Sequence, residues 1–352
     1  MVTRSANGAV GVSCQATSGA PVCVTNTNRS APKGTLMKAA VVRSFDAPPR
    51  YEDFDLPPLS GPDDVVVGVL AAGLHPRVRS AASGSHYADK HVLPMIPGID
   101  AVGRLSDGKL VYCVAHDTPY GTMAEQVVAD RRRCVPLPDG IDEALLAAAM
   151  NPGMSSWIAL RLRASIQAGQ SVFVLGATGN AGRMAIQIAK LLGAGRVVGA
   201  GREISRLEST GADEVVSLAG EPVSVGGAIA KAASESDIVL DYLWSQPAAD
   251  AMTAMLTARR DRSKPINWIQ IGSVAGPTMA LPSVALRSTN LRVMGSGQGS
   301  VPAKAIVAEL PRLADEILAG RIPVDVLRVP LSQVEQAWNT PLPAGRRVVL
   351  VP

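Results

Sequence analysis

One stretch, residues 171–193, constrains the fold of this chain more than any other. It opens with the apolar run Val172–Leu175, which is typical of a parallel strand covered on both faces. A Gly-x-x-Gly-x-x-Gly sequence follows over Gly176–Gly182, and apolar residues then recur at helical spacing as far as Gly193. The pattern predicts a strand, a glycine turn and a helix, whose first N–H groups and positive dipole end suit a pyrophosphate.

A second apolar strand, Arg196–Ala200, begins directly after this helix, as a βαβ unit requires. An acidic residue at the tip of that strand favours NAD, but the tip carries Arg202. A guanidinium can form paired hydrogen bonds to a 2′-phosphate, so the sequence favours NADP(H), with Arg206 in support. Glu203 opposes this, because it can tether Arg202 or repel phosphate. The alternative is a tight βα turn that binds no nucleotide.

Composition excludes several other classes of protein. The 352 residues suggest two domains, and a charged content of 18% is that of a soluble globular chain, which we expect in the cytoplasm. The net charge of +4 is scattered, and aromatic residues make up only 3%. Arg131–Arg133 therefore predicts a solvated loop rather than a nucleic-acid site. No apolar run approaches the roughly 20 residues of a membrane span.

Cysteine spacing argues against a metal site. Cys14, Cys23, Cys113 and Cys134 form no CxxC pair and have no neighbouring histidine pattern, so free thiols are expected. Neither Cys113 nor Cys134 has a base beside it in sequence, which argues against nucleophilic catalysis.

The chain divides into four parts. Residues 1–36 predict a disordered extension, or an upstream start with Met37 as the true beginning. Residues 37–155 carry strand-like runs between Pro and Gly turns, and a helical pattern over 141–163 is interrupted at Asn151–Gly153.

Helix and strand patterns alternate over 156–295, which predicts a doubly wound parallel sheet of the Rossmann type. Residues 296–352 carry a helix over Lys304–Ala319 and a strand over Arg347–Val351, and we expect them to fold together with the first part. The fold class predicted is α/β, with a β-rich domain and an inserted nucleotide domain.

An ordered set of short motifs from Met37 to Pro352 resembles the medium-chain dehydrogenases/reductases of the zinc-free quinone oxidoreductase type. The motifs are Met37–Val42, Ile96–Gly103, Gly121–Val128, Pro136–Gly140, Gly179–Gly182, Gly211–Asp213 and Ile271–Gly276. The resemblance implies a GroES-like β-rich catalytic domain built from both ends of the chain, and a homodimer. Zinc-using relatives hold the metal in stretches that here read Ala71–His75 and Pro97–Asp100, without the metal-binding cysteine and His-Glu pair. The structural zinc lobe is absent too, so no metal is expected.

The resemblance also implies which residues hold the cofactor, NADPH. They are Asn151, Ser155, Ala177, Thr178, Gly179, Asn180, Ala181, Gly182, Arg202, Leu243, Gly272, Ser273 and Gly297.

The substrate side departs from the family pattern, because an expected Asn-Pro-x-Asp stretch reads His75-Pro-Arg-Val78. His75 is a candidate donor to a substrate oxygen, or else a satisfied histidine that caps the loop. Tyr87 is a candidate for the pocket mouth, or else exposed. Trp157 and Trp244 are predicted to pack in the core, and Asp241 to be a turn residue rather than a base.

These observations predict an NADPH-dependent, zinc-free oxidoreductase that transfers hydride to quinones or activated carbonyl compounds. The alternatives are an enoyl or alkenal reductase that acts on conjugated double bonds, and a weakly catalytic NADPH-binding protein. We expect a small-molecule substrate and neither a membrane nor a nucleic acid as partner.

Overall fold

The computed structural model describes residues 35–85, 92–115, 118–341 and 345–352. The first described part is rich in strands. Its elements are β1 (Leu36–Val41), β2 (Arg50–Asp55), β3 (Asp64–Leu74), α1 (Pro76–Ala82), β4 (Asp100–Leu105), β5 (Leu110–Ala115) and β6 (Gln126–Pro136). β1 and β2 form an antiparallel pair, whereas β3 to β6 pair in sequence order. Because β3 also pairs with β6, these four strands close on themselves.

The helix that follows is continuous where the sequence predicts a break. α2 (Glu143–Ile158) passes through Pro152 and ends in a π-helical turn, Ala159–Arg163, so the predicted interruption at Asn151–Gly153 is wrong. Pro152 has no N–H and leaves the carbonyl of Ala148, four residues earlier, without its helical partner. The Nε atom of Arg347 donates to that carbonyl over 3.3 Å. A residue from the far end of the chain thus compensates the proline.

The middle of the chain forms a six-stranded parallel sheet with helices between its strands. Its elements are β7 (Ser171–Leu175), α3 (Asn180–Leu191), β8 (Arg196–Gly201), α4 (Ile204–Glu208), β9 (Glu214–Ser217), α5 (Pro222–Ala233), β10 (Ile238–Asp241), α6 (Ser245–Ala258), β11 (Ile266–Gln270), α7 (Ser283–Ser288) and β12 (Leu291–Gly295). The strand order is β12-β11-β10-β7-β8-β9. This is the doubly wound order, so the Rossmann-type prediction is confirmed.

The last residues return to the β-rich sheet. They form α8 (Ala303–Leu318), β13 (Asp325–Pro330), α9 (Val334–Asn339) and β14 (Arg346–Val351). β14 lies between β13, which is parallel to it, and β3, which is antiparallel. The predicted fold class is confirmed, since both ends of the described chain build the β-rich part. The exact domain boundaries stay predictions, and residues 1–34 lie outside the described part.

Two further features of the β-rich part complete the fold. Arg131–Arg133 lie within β6, so the predicted loop is wrong, and Arg132 binds the carboxylate of Asp130 through Nε and Nη2 over 2.9 and 2.7 Å. Cys113 and Cys134 are free thiols that face each other across β5 and β6. Across the described ranges, no helix has both the length and the apolar character that a bilayer span requires.

Candidate active site

A cavity of about 700 Å³ lies where the β-rich part meets the parallel sheet. Its wall is mostly apolar and is formed by α2, α8, the segment after β12 and loops of the β-rich part. Residues from all of these line it, among them Met95, Ile99, Met154, Ile158, Ile306 and Leu310. A cleft of this size and polarity suits a drug-sized organic molecule and one end of a cofactor.

The predicted glycine turn lies between β7 and α3. Gly176 has φ +91°, a value that favours glycine. A Cβ atom on Gly182 would lie 2.2 Å from the carbonyl oxygen of Gly176, so only glycine lets α3 begin this close to the turn. Gly179 is the N-cap residue of α3 and contributes no side-chain cap. The first N–H groups of α3 therefore point outward as an anion site, and this cradle fits a pyrophosphate.

The tip of β8 carries the predicted phosphate ligand. Arg202 is exposed and follows the end of β8 directly. Arg206 donates through Nη2 to the carbonyl of Thr178 over 3.1 Å and lies 3.4 Å from the carboxylate of Glu203. Glu203 is therefore paired with Arg206 rather than with Arg202. Arg202 takes no part in this pair and is exposed at the tip of β8.

The other predicted cofactor residues fall into two groups. Asn151, Ser155 and Gly297 line the cavity. Leu243 and the pair Gly272 and Ser273 follow β10 and β11, at the carboxyl edge of the sheet. A Cβ atom on Gly272 would lie 2.9 Å from the carbonyl oxygen of Tyr242, so the two loops are in close contact.

The loop after β10 is held by a buried carboxylate. Asp241 accepts from the backbone N–H groups of Leu243 and Trp244, both over 2.9 Å, and from Nε1 of Trp268 over 3.0 Å. These bonds occupy the carboxylate in a turn, as the sequence predicts. Trp244 and Ser245 both have positive φ values, 57° and 55°, which are uncommon for residues other than glycine. These hydrogen bonds fix the conformation of the loop after β10, which carries the predicted cofactor residue Leu243.

Trp157 lies elsewhere than in the cofactor cleft. It is buried, and its Nε1 donates to Glu309 over 2.9 Å, while the Arg161 guanidinium lies over its ring. This position in the core is the one the sequence predicts.

Tyr242 is a residue that the sequence analysis missed. Ser155 donates to the carbonyl oxygen of Pro152 over 2.7 Å, so its oxygen is left to accept from the Tyr242 hydroxyl, 3.1 Å away. Burial raises the pKa of Tyr242 to about 12, which keeps the phenol protonated as a donor. The signal in the sequence is an aromatic residue directly after the strand that ends at Asp241.

The two predicted catalytic residues have different outcomes. Tyr87 lies outside the described residues. His75 is only 3% exposed, is not among the residues that line the cavity, and places Nε2 3.3 Å from Oδ1 of Asp100. Burial lowers the pKa of His75, so the ring is held neutral near pH 7.

Asp100 is the second residue that the sequence analysis missed as part of the site. Its side chain is fully buried, and it accepts from the Tyr112 hydroxyl over 3.0 Å and from Nδ2 of Asn151 over 3.3 Å, in addition to its contact with His75. No group of three or more His, Cys, Asp or Glu side chains in the described ranges is placed to hold a metal ion.

The parallel sheet has the doubly wound order of nucleotide-dependent enzymes, and the cavity lies where this sheet meets the β-rich part. No protein-family model matches the chain. A probable NADPH-dependent quinone reductase of Emericella nidulans is 29% identical over 90% of this chain and 100% of its own length. A trans-enoyl reductase of Aspergillus terreus is 33% identical over 38% of this chain and 42% of its own length.

Solved structures agree with these relatives. The quinone oxidoreductase of Thermus thermophilus, which has been solved alone and with NADPH, superposes with a TM-score of 0.72 at 26% identity, over 90% of this chain and all of that one. The relatives and solved structures that this chain resembles include quinone oxidoreductases of the medium-chain dehydrogenase/reductase superfamily.

Proposed function

We propose that this protein is an NADPH-dependent oxidoreductase that reduces quinones or activated carbonyl compounds without a metal. One observation carries the proposal: the chain combines a glycine turn shaped for a pyrophosphate with a mostly apolar cavity of about 700 Å³. The similarity to quinone reductases over the whole length of one relative supports it.

Bound NADPH would supply a hydride, which carries two electrons, so a quinone that also takes up one proton from solvent would leave as the hydroquinone. The chain's own task is to bind, orient and exclude water. The N-terminus of α3 would hold the pyrophosphate, Arg202 would bind the 2′-phosphate, and Asn151 and Ser155 would contact the nicotinamide end. The apolar residues that line the cavity, which include Met95 and Leu310, would orient the substrate and keep water from the reacting carbon.

Zinc independence is part of the proposal. The two carboxylate oxygens of Asp100 already face three side chains of the protein, His75, Asn151 and Tyr112. Turnover should therefore survive prolonged incubation with a strong chelator, and the active protein should hold far less than one zinc per chain.

The direct test is oxidation of NADPH, followed at the nicotinamide absorbance band, with a panel of quinones and enones. Consumption with quinones supports the proposal. Tight binding of NADPH without turnover of any member would instead favour the weakly catalytic binding protein.

The choice of cofactor has its own test in Arg202→Ala. Loss of a charged hydrogen bond should weaken NADPH binding by about 1–3 kcal/mol, or roughly five- to 150-fold. NADH lacks the 2′-phosphate, so its affinity should stay unchanged and serves as the control. Equal losses for the two cofactors would contradict the assignment of Arg202 to the phosphate.

A second candidate function is reduction of conjugated carbon–carbon double bonds. The similarity to a trans-enoyl reductase over 38% of this chain favours this second function. The apolar cavity would also accept an alkyl chain. Analysis of the products separates the two functions, because an enone would yield the saturated ketone rather than an alcohol or a hydroquinone.

We also propose that the protein is a homodimer, with the second copy seated on β12. This strand pairs only with β11 in the described sheet, so no second strand covers its outer edge, where the Gly295 carbonyl accepts from the Arg163 side chain. Val284 and Leu286 on the adjacent α7 are 57% and 48% exposed, and Val274 is 85% exposed. An open edge beside exposed apolar side chains is suited to a second copy of the same surface.

A further inference from the structure

The carboxylate of Asp100 is the centre of a buried network of hydrogen bonds. It begins β4, and its carbonyl oxygen accepts from the Thr122 hydroxyl over 2.9 Å. Oδ1 has two side-chain partners, Nε2 of His75 and Nδ2 of Asn151, both at 3.3 Å. Oδ2 accepts from the hydroxyl of Tyr112 over 3.0 Å. A carboxylate can only accept, so each of these partners must present a donor to it.

The network is balanced by one buried cation. Arg347 is 5% exposed, and burial lowers its pKa to about 10, while the charge of Asp100 opposes that decrease. The same guanidinium donates to the carbonyl of Ala148 in α2. Arg347 therefore joins the carboxylate to the helix that carries Asn151.

Asn151 is the only one of these three partners of the Asp100 carboxylate that also lines the cavity. An amide has a donor end, the NH₂ group, and an acceptor end, the carbonyl oxygen. Here the chemistry of the partner decides, because Asp100 requires the NH₂ group. The carbonyl oxygen of Asn151, Oδ1, is then the atom left to accept a hydrogen bond from a bound molecule.

We propose that Asp100 is a positioning residue: it fixes the amide of Asn151 so that Oδ1 accepts from the carboxamide N–H of the nicotinamide. This inference rests on the proposed function, since it requires the nicotinamide to enter the cavity beside Asn151 and Ser155. Asp100 itself touches neither cofactor nor substrate. It acts by excluding the flipped amide, which would present N–H groups to a ligand that needs an acceptor.

The test compares two ligands by titration calorimetry. One is NADPH, and the other is its 3-acetylpyridine analogue, which keeps the ring carbonyl but has no carboxamide N–H. Asn151→Ala should weaken NADPH binding roughly five- to tenfold, the effect of one neutral hydrogen bond. Asp100→Asn should also weaken NADPH binding, by at least twofold, because its side chain no longer selects one orientation of the Asn151 amide and the binding-competent orientation is then at most half populated. Binding of the analogue should change by less than twofold in both variants.

Tyr112→Phe is the matched control. It removes an equally buried hydrogen bond from the same carboxylate, but at Oδ2, away from Asn151. We expect a lower melting temperature and an unchanged ratio of the two affinities. If Asp100→Asn does not fold, Asp100→Glu keeps the charge and displaces the acceptor oxygen from Asn151, and the same loss of NADPH selectivity is expected.

The outcomes are distinct. If wild-type protein binds NADPH, and the Asp100 variants retain the wild-type ratio of NADPH to analogue affinity, the positioning role is wrong while the proposed function stands. The double variant Asp100→Asn with Asn151→Ala should bind NADPH no more weakly than Asn151→Ala alone, and additive losses would also overturn the inference. Absence of any NADPH binding by wild-type protein would overturn the proposed function instead.

Discussion

His75 shows how one buried contact decides the role of a residue. Its pKa is lowered from an ordinary value of 6.5, chiefly by burial, with Asp100 opposing that effect and the charges of Arg347 and Arg77 adding to it. Below pH 6.5 the unfolded chain therefore binds a proton that the folded chain does not. Above that pH the His75 ring is neutral in both states and does not lower the free energy of unfolding. As the pH falls below 6.5, protonation of the unfolded chain lowers the free energy of unfolding.

The variant His75→Gln keeps a donor for Asp100 but cannot titrate. Its free energy of unfolding relative to wild type should be constant above pH 7.5. Below pH 6.5 wild type should lose stability relative to the variant, by up to about 1.4 kcal/mol per pH unit. Urea titrations at several pH values measure this, and parallel curves down to pH 5 would show that His75 is protonated in the folded state.

The sequence left two roles open for His75, and nothing in its neighbourhood could choose between them. Its partner Asp100 is 25 residues away and starts a different strand. The glycines of the turn were predictable, because their spacing reflects a local requirement for close approach. The network of Asp100 was not, since its members come from the start of α1, from β4, from β5 and from α2 and share no spacing.

At the scale of the element, the start of α3 depends on Gly182. In Gly182→Ala the new Cβ would lie 2.2 Å from a backbone oxygen of Gly176, which cannot move without moving β7. We expect α3 to shift away from the turn, with NADPH binding weakened more than tenfold and a lower melting temperature. Calorimetry and thermal unfolding measure both.

Gly227→Ala is the control for that substitution. Gly227 lies in the helix α5, and a Cβ there meets nothing within 4 Å. Removing glycine from an open helical position should stabilise the protein by about 0.5–1 kcal/mol and leave NADPH binding unchanged. Equal cofactor affinity in Gly182→Ala and Gly227→Ala would contradict the role of the turn.

The continuity of α2 shows that a helix end cannot always be predicted from the neighbouring sequence. An Asn-Pro-Gly sequence is a sound signal for a helix end, and the structure overrides it with a hydrogen bond from Arg347, almost 200 positions later in the chain. The short α1 was likewise unpredicted, although Pro76 stands at its first position, where proline is favoured. The alternating strands and helices over 171–295 were predictable, because apolar residues recur at a different spacing in strands than in helices.

At the scale of the whole molecule, the order of the parallel strands followed from alternation, whereas the open edge at β12 could not be seen before the sheet was assembled. That edge makes a prediction about assembly. Light scattering should give wild-type protein twice the mass of one chain. The double variant Val284→Lys with Leu286→Lys should be monomeric, because two charges on α7 would have to be buried against a second copy. Val223→Lys, at a position 89% exposed on α5, should remain dimeric. A wild-type monomer, or a dimer that survives both lysines on α7, would place any second copy elsewhere than on β12.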